Sequence, residues 1–422
     1  MLHGESSRRV APPAAGSGGN IDALPNSILE HIVGLLISPE AVRTSMVAHR
    51  WRHLWKSAPS LRVGCSGDDV SAPPLNELRE FVDRFLLLRE GSPLDTCDIR
   101  LGQFQRDDMP LLNSWVRQAI ACNAKALRLR TRGIWYLVLD DLPVVSKHLT
   151  RLELHRVLVH SIFLDFTSCL ALEYLKLLNC DLGTARKISA ESLKHLSIVE
   201  SCFSSEFRTR IHTPNLVSLH FDGLKNLTPK LDSMPSLVEG VVRMTNLCFD
   251  FCVTESEEDT LDCLSRLSTN SRGKGVNSCV LFNGLSKAKS LDLICRPSDE
   301  RRPFHLPGTQ FLQILFIWDL RLCPMFSNLK TLLLNEYWCM PDDCSALLRI
   351  LELSPVLEEL TLELFSEGSN NKVEMNGSIS LVERSPKISE HLNEVKVKCQ
   401  AVDERVLKIF KILYTLNICF PL

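Results

Sequence analysis

The stretch LEYLKLLNC, residues 172–180, has the form L-x-x-L-x-L-x-x-C. Three similar stretches lie near it: LTRLELHRV (149–157), LKHLSIVES (193–201) and LVSLHFDGL (216–224). The second leucine of each stretch stands at 152, 175, 196 and 219, so successive copies are 21 to 23 residues apart. A short apolar strand that recurs at such a fixed period predicts stacked units, each of which adds one strand to a shared sheet.

Weaker copies of the pattern extend the array on both sides. They read LDTCDIRL (94–101), AKALRLR (124–130), LVEG (237–240), AKSLDLIC (288–295), NLKTLLLNE (328–336), VLEELTLEL (356–364) and LNEVKVKC (392–399). Two further stretches, LNELREFVDRFLLLRE (75–90) and PLLNSWVRQAIACN (110–123), have the apolar spacing of amphipathic helices. The period is that of leucine-rich repeats, and it predicts an α/β fold, an irregular horseshoe-shaped solenoid with parallel strands inside and helices outside.

The residues between the leucines of each strand are the candidate contacts for a bound partner, because side chains alternate across a strand and the leucines point into the core. Their charges are mixed, which suits a protein or peptide client better than RNA. They show no basic cluster of the kind that would hold an inositol phosphate. The predicted client-binding residues are Arg151, Glu153, His155, Tyr174, Lys176, His195, His220, Glu359 and Glu363, and Ser197, Asp222, Thr361, Lys396 and Lys398 lie among them.

The stretch before the repeats, IDALPNSILEHIVGLLISPEAVRTSMVAHRWRHLW (21–55), predicts three short helices. Pro25 suits the first turn of a helix, where a missing N–H costs little. Apolar residues then recur at helical spacing, as in Ile28, Ile32 and Leu35. A helical unit of this size has only a marginal hydrophobic core of its own. It therefore needs another domain or another protein to pack against.

The phrases LPNSILEHIVGLL, AVRTS and HRWRHLW resemble the F-box of plant F-box proteins. The sequence departs from the usual F-box at Asn26-Ser27, where acidic residues are common, and at 47–49. Three later phrases, FVDRFLLLREGSPLDTCDIRL, WVRQAIACNAKALRLR and SPVLEELTLEL, are similar to the leucine-rich region of the same family. The chain thus resembles a plant F-box protein with C-terminal leucine-rich repeats, with segments expected at 1–20 (disordered), 21–62 (F-box) and 75–422 (repeats).

This resemblance implies a non-catalytic substrate-recognition subunit of an SCF-type cullin-RING ubiquitin ligase. The F-box would dock a Skp-type adaptor, and through it a cullin, while the inner face of the repeats would select a client protein. The residues implied in adaptor binding are Leu24, Pro25, Ile28, Leu29, Ile32, Val42, Trp51, Leu54 and Trp55.

Other interpretations remain open from the residues alone. The face formed by Trp51, Leu54 and Trp55 can be the module's own core, a docking surface for a partner, or, with the basic residues beside it, a nucleic-acid site. The whole chain can be a leucine-rich-repeat scaffold without ligase association. A third class, an RNA-binding repeat protein, requires a basic inner stripe, and the predicted contacts are mixed in charge.

Composition and motifs narrow the remaining function classes. The formal net charge is −2, which argues against a general nucleic-acid coat. No phosphate loop, catalytic triad or zinc spacing is found, and the densest cysteine group, Cys248, Cys252 and Cys263, has no histidine near it, so neither metal nor cofactor is expected. The sixteen cysteines and the lack of a secretory signal predict a reducing compartment, the nucleus or the cytoplasm. No membrane span is expected, and the terminal CFPL is a poor prenylation signal at Cys419.

Overall fold

A computed structural model of the chain describes residues 21, 24–46, 49–64, 75–89, 92–132, 134–245, 280–296, 320, 323–339, 344–364, 373–379 and 389–420. The expectation of disorder at 1–20, the cysteine group at 248–263 and most of the 255–286 segment lie outside these residues.

The chain begins with a set of short helices. Helix α1 spans Asn26–Leu35 and helix α2 spans Ser38–Arg43, with Pro39 in its first turn. Two 3-10 turns follow at Thr44–Met46 and His49–His53, and a single turn of helix, α3, spans Leu54–Ser57. The stretch of Trp51 is therefore a 3-10 turn that runs into α3, where one continuous helix was predicted.

The main body is one large sheet, which confirms the predicted α/β class and fits a leucine-rich-repeat type of fold. Fourteen strands of the described residues join in the order β1-β2-β3-β5-β7-β9-β11-β13-β14-β15-β16-β18-β17-β19. All neighbouring strands are parallel except β17, which runs antiparallel to β18 and β19. The strands are β1 Ser60–Val63, β2 Thr96–Leu101, β3 Ala126–Thr131, β5 Arg151–His155, β7 Tyr174–Leu178, β9 His195–Val199, β11 Ser218–Asp222, β13 Glu239–Thr245, β14 Ser290–Arg296, β15 Thr331–Asn335, β16 Glu359–Leu364, β17 Val373–Ile379, β18 Glu394–Cys399 and β19 Ile418–Cys419.

The helices flank the most regular block of repeats and do not run through it. The two predicted amphipathic helices are present, α4 at Leu75–Leu88 and α5 at Met109–Ala121, and others lie at Phe282–Leu285, Ser345–Glu352 and Glu404–Thr415. Between β7 and β13, however, the second layer consists of short strands where helices were predicted. They are β8 Lys187–Ser189, β10 Arg210–His212 and β12 Lys230–Leu231, and they form a parallel sheet. Earlier in the chain, β4 Leu137–Val138 pairs in parallel with β6 Val157–Leu158. A repeat of 21 to 23 residues leaves too few residues after its strand and turns for a full helix.

The leucines of the repeats fall in register across the sheet. Leu152 pairs with Leu175, Leu175 with Leu196, and Leu196 with Leu219, and all four are buried. The next strand places Gly240 at this position, because a Cβ there would lie 2.7 Å from the side chain of Leu291. The predicted alternation of buried leucines and outward polar residues is thus confirmed in the regular strands.

The helices at the front and the repeats share one hydrophobic core. Strand β1, inside the stretch predicted for the F-box, is the edge strand of the large sheet and pairs with β2. The side chain of Ser60 donates to the carbonyl of Gly34 in α1, and the ring of Trp55 lies 5.4 Å from that of Phe85 in α4. A Cβ at Gly34 would clash with Pro59, so this position admits no larger residue without movement of the junction. The front helices are therefore fixed to the first strands of the sheet.

The register can be tested by a pair of neighbouring substitutions in β7. Leu175 is fully buried, whereas Lys176 points away from the core and is partly exposed. We expect Leu175→Ala to lower the free energy of unfolding by about 3 kcal/mol, because it removes core contacts and leaves a cavity. Lys176→Gln should change it by no more than about 0.5 kcal/mol, as is usual for surface positions. Chemical denaturation of both variants measures the difference, and equal losses would contradict the register.

Candidate partner-binding surfaces

The front helices expose an apolar stripe. On α1, Ile28 is 46% exposed and Leu35, two turns further on, is 58% exposed. Ile32 lies between them and is half-buried, as is Leu24 just before the helix. Because residues four and seven apart share one face of a helix, these side chains form one strip, called here the α1 stripe: Leu24, Ile28, Ile32 and Leu35. Such a strip of large apolar side chains is a common mark of a protein-binding surface.

The structure divides the other predicted adaptor residues between core and surface. Trp51 and Trp55 are each 8% exposed, and Leu54 and Leu29 are also buried, so all four pack inside this chain. Of the remaining two, Val42 is half-buried and Pro25 is exposed. The tryptophans thus hold α1 and α3 in place, and the α1 stripe is what a partner could touch directly.

Asn26, which departs from the acidic residue usual in F-boxes, is held by an arginine. The Nε and NH2 atoms of Arg50 donate to Asn26 Oδ1 over 3.1 and 2.9 Å, and NH2 also donates to the carbonyl oxygen of Leu24. The contact joins the start of α1 to the 3-10 turn that carries Trp51. The amide oxygen of Asn26 accepts the hydrogen bonds that a carboxylate oxygen could accept at this position. The departure from the usual F-box sequence therefore keeps the link between the start of α1 and the 3-10 turn.

Arg89 was not singled out from the sequence, yet it joins the front helices to the repeats. It is 1% exposed, and its NH1 donates to the carbonyl of Ala58 over 2.6 Å, just after α3. Its NH2 donates to the carbonyl of Pro93 over 3.0 Å, and its guanidinium lies 5.4 Å from the ring centre of Phe85. Burial lowers the pKa of Arg89. The only sequence signal was an arginine directly after an amphipathic helix, which commonly faces solvent.

Most of the predicted client-binding residues meet on the face of strands β5 to β11 that points away from the core. In one row Arg151 pairs with Tyr174, and Tyr174 with His195. The guanidinium of Arg151 lies 3.7 Å from the centre of the Tyr174 ring, a cation–π contact. In the next row Glu153 pairs with Lys176, and this row continues through Ser197 to His220. These residues form one continuous surface.

The two remaining predicted client residues, Glu359 and Glu363, lie on β16, four strands further along the sheet. At the usual strand spacing this places them roughly 20 Å from β11. Each is paired: Lys396 Nζ lies 3.0 Å from Glu359, and Lys398 Nζ lies 3.6 Å from Glu363. The predicted residues therefore form two groups on the same sheet face, and the second group is an ion-paired surface of its own.

The charges of the first group shift the pKa values of its members. Burial alone would raise the pKa of Glu153, but hydrogen bonds from Arg151 and Arg128 overcome this effect and lower it. Burial lowers the pKa of His155, and the nearby charges of Arg156 and Arg130 lower it further. Burial also lowers the pKa of His220 against the opposite effect of Asp222. Both histidines therefore favour the neutral form.

These two histidines give the stability a pH dependence. Below the ordinary histidine pKa of 6.5, the unfolded chain takes up protons that the folded chain does not, so the stability falls as the pH is lowered through this range. We expect the double variant His155→Gln/His220→Gln to lose less stability than the wild type between neutral pH and pH about 5. Thermal melting at several pH values in this range measures how the stability of each protein changes with pH. Equal slopes for the variant and the wild type would contradict the assignment of this pH dependence to the two histidines.

Few other chemical features appear among the described residues. No group of histidine, cysteine and acidic residues there could hold a metal ion, and no helix there is long and apolar enough to cross a membrane. Free thiols there are Cys97, Cys122, Cys169, Cys180, Cys202, Cys323, Cys339 and Cys399. Cys419, the candidate for prenylation, lies half-buried in β19 and pairs with Ser378 of β17.

Several proteins of Arabidopsis thaliana are similar to this chain. An F-box/FBD/LRR-repeat protein of Arabidopsis thaliana is 25% identical over 85% of this chain and 80% of its own length. An F-box/LRR-repeat protein of the same plant is 26% identical over 83% of this chain and 94% of its own length, and an F-box protein is 25% identical over 59% and 85%. No protein-family model matches the chain. These similarities over most of the chain confirm its resemblance to the plant F-box proteins with leucine-rich repeats.

Proposed function

We propose that this protein is a substrate-recognition subunit of an SCF-type cullin-RING ubiquitin ligase. The α1 stripe would dock a Skp-type adaptor, the adaptor would connect to a cullin, and the sheet face that points away from the core, predicted as the inner face of the repeats, would hold a client protein. The chain would act as a bridge, without a cofactor and without catalysis of its own. The names of the Arabidopsis relatives support an F-box protein of this general kind.

The observation that carries the proposal is the position of the α1 stripe. The tryptophans of the front helices are buried in the core, yet Ile28 and Leu35 of α1 are exposed on one face of the helix. Exposing such apolar side chains to water costs free energy in proportion to the exposed area. A partner that covers them therefore gains binding energy. Because the front helices share a core with the first strands, the docking surface and the client face would be held in a fixed relation.

The buried thiols suit a reducing compartment, and we propose the nucleus or the cytoplasm as the place of action. Burial raises the pKa of Cys97 and of Cys180 to about 12 each, so neither thiol is reactive at neutral pH. They behave as small apolar core residues. This use of cysteine is expected where disulfides do not form.

Isolation of the full chain from plant cells tests the proposal. A tagged copy should bring down a Skp-type adaptor and a cullin, identified by mass spectrometry. The alternative function, a leucine-rich-repeat scaffold without ligase association, predicts that other proteins are captured without adaptor or cullin. That second result would overturn the proposed function.

A further inference from the structure

We propose that the first strands of the sheet form a binding site for an acidic segment of the client protein. This inference rests on the proposed function and names the chemistry of what the sheet face would hold. The site is a surface of cationic side chains, called here the arginine face: Arg62, Arg100, Arg128, Arg130, Arg151 and Lys176.

The parallel register brings these residues together from five strands. Along one row, Arg62 of β1 pairs with Asp98, Asp98 with Arg128, Arg128 with Glu153, and Glu153 with Lys176. Two residues further along the strands, Arg100 pairs with Arg130. In the sequence the arginines of neighbouring strands are 21 to 38 residues apart, and for this reason no basic cluster was predicted.

The carboxylates of this surface lie below the arginines. Glu153 accepts from Arg151 over 2.6 Å and from Arg128 over 3.2 Å, and Arg130 lies 3.5 Å away. Its side chain is 13% exposed, whereas those of the three arginines are between 30% and 42% exposed. The N–H donors of three guanidinium groups outnumber the hydrogen bonds that one shared carboxylate can accept. The six cations outnumber the two largely buried carboxylates, Asp98 and Glu153, so the surface keeps a net positive charge.

The histidine beside these arginines reports the same positive field. His155 pairs with Arg130, and after burial the neighbouring cations Arg156, Arg130 and Lys176 all act to lower its pKa. Among the described residues Lys176 makes no ion pair, although it pairs in register with Glu153. An anion that approaches this row would thus meet unneutralised charge.

An apolar edge borders the arginine face. Directly after β3, the side chains of Ile134 and Trp135 are exposed, and Arg156 donates to the carbonyl of Ile134 over 3.2 Å. Tyr136 reaches Asn179, just after β7, with 3.4 Å between its hydroxyl and Asn179 Oδ1. The loop therefore lies along the carboxyl ends of β3, β5 and β7. A segment with acidic residues next to an apolar one would fit both parts.

Protein fits this surface better than nucleic acid. A phosphate backbone would pass over the carboxylates of Asp98 and Glu153, which interrupt the row of cations and would repel it. The positive charge of this sheet face also ends within the sheet, because the strands that follow β9 carry the acidic residues Asp222, Glu239 and Asp292. A short acidic peptide segment needs no longer track than these five strands.

The test is a titration of the full chain with a fluorescein-labelled peptide, in which Asp and Glu residues precede a Leu-Phe pair. Binding should be measurable at low salt, should weaken as salt is added, and should be lost with the matched Asn/Gln peptide. The variant Arg128→Gln/Arg130→Gln should bind the acidic peptide roughly tenfold more weakly, since it removes two of the contacting charges. Lys176→Gln, which breaks no ion pair among the described residues, should weaken it about threefold.

The matched control removes two arginines elsewhere. Arg117 of α5 and Arg349 of the Ser345–Glu352 helix are each exposed and each pair with one acid. Arg117→Gln/Arg349→Gln should bind the peptide as the wild type does. The proposal is overturned if both double variants lose binding equally, if the Asn/Gln peptide binds as well, or if a single-stranded RNA of equal charge binds more tightly. Adaptor binding is measured on the same variants, and it should be unchanged, so failure here is distinct from failure of the proposed function.

Discussion

Replacing Arg89 with alanine is expected to lower the free energy of unfolding by about 2–4 kcal/mol, because a buried carbonyl loses a charged hydrogen-bond donor and the packing of a buried side chain is lost. The carbonyl of Ala58 would lose a charged donor in a buried place, and the carbonyl of Pro93 would lose one in a partly buried place. The guanidinium of Arg89 also lies over the ring of Phe85, which in turn contacts Trp55. The loss would therefore be felt at the junction of the front helices with the repeats.

A neighbouring arginine provides the control for this variant. Arg84 stands on the exposed side of α4, where it pairs with Glu80 one turn away. Arg84→Ala should cost no more than about 0.5 kcal/mol, the usual value of an exposed helix pair. Urea denaturation compares the two variants. If Arg89→Ala unfolds at the same urea concentration as the wild type, Arg89 does not stabilise the junction.

The double variant Ile28→Glu/Leu35→Glu is expected to weaken adaptor binding by roughly a hundredfold or more, since a central apolar contact can carry about 2 kcal/mol or more. Both side chains are exposed in the free chain, so the variant should melt as the wild type does. Calorimetric titration with purified adaptor measures the change. The effect on affinity without an effect on stability separates a docking surface from a structural one.

Two exposed leucines elsewhere serve as the control for adaptor binding. Leu87 on α4 and Leu170 between β6 and β7 are even more exposed than the pair on α1. Leu87→Glu/Leu170→Glu adds the same charge and removes a similar apolar area, and it should bind adaptor normally. If this control weakens binding as much as Ile28→Glu/Leu35→Glu does, the α1 stripe is not the docking surface.

The sequence predicted the repeated strands because each one carries its own local signal. Buried leucines alternate with polar residues, and even the copy with Gly240 pairs in register with Leu219. Strand β1 was missed because SLRV is short and lacks the repeat phrase, and its pairing with β2 depends on contacts made by Ser60 and Arg62 with the front helices. Strand β17 was missed because it runs against the direction of the repeats.

The candidate surfaces were predicted less completely than the fold. Helical spacing placed Trp51 and Trp55 on one apolar face, but periodicity does not tell whether such a face packs on its own chain or on a partner. The structure shows that it packs on its own chain. The arginine face was invisible for a different reason: Arg62, Arg100 and Arg130 become neighbours through strand pairing between distant segments.

The most direct test of the account mixes the purified chain with purified Skp-type adaptor and cullin and measures the mass of what forms by light scattering. A receptor that bridges client and ligase predicts a single species with one copy of each protein, which Ile28→Glu/Leu35→Glu fails to form. If the wild-type chain remains separate from an adaptor–cullin complex that assembles normally, the chain is not a ligase subunit.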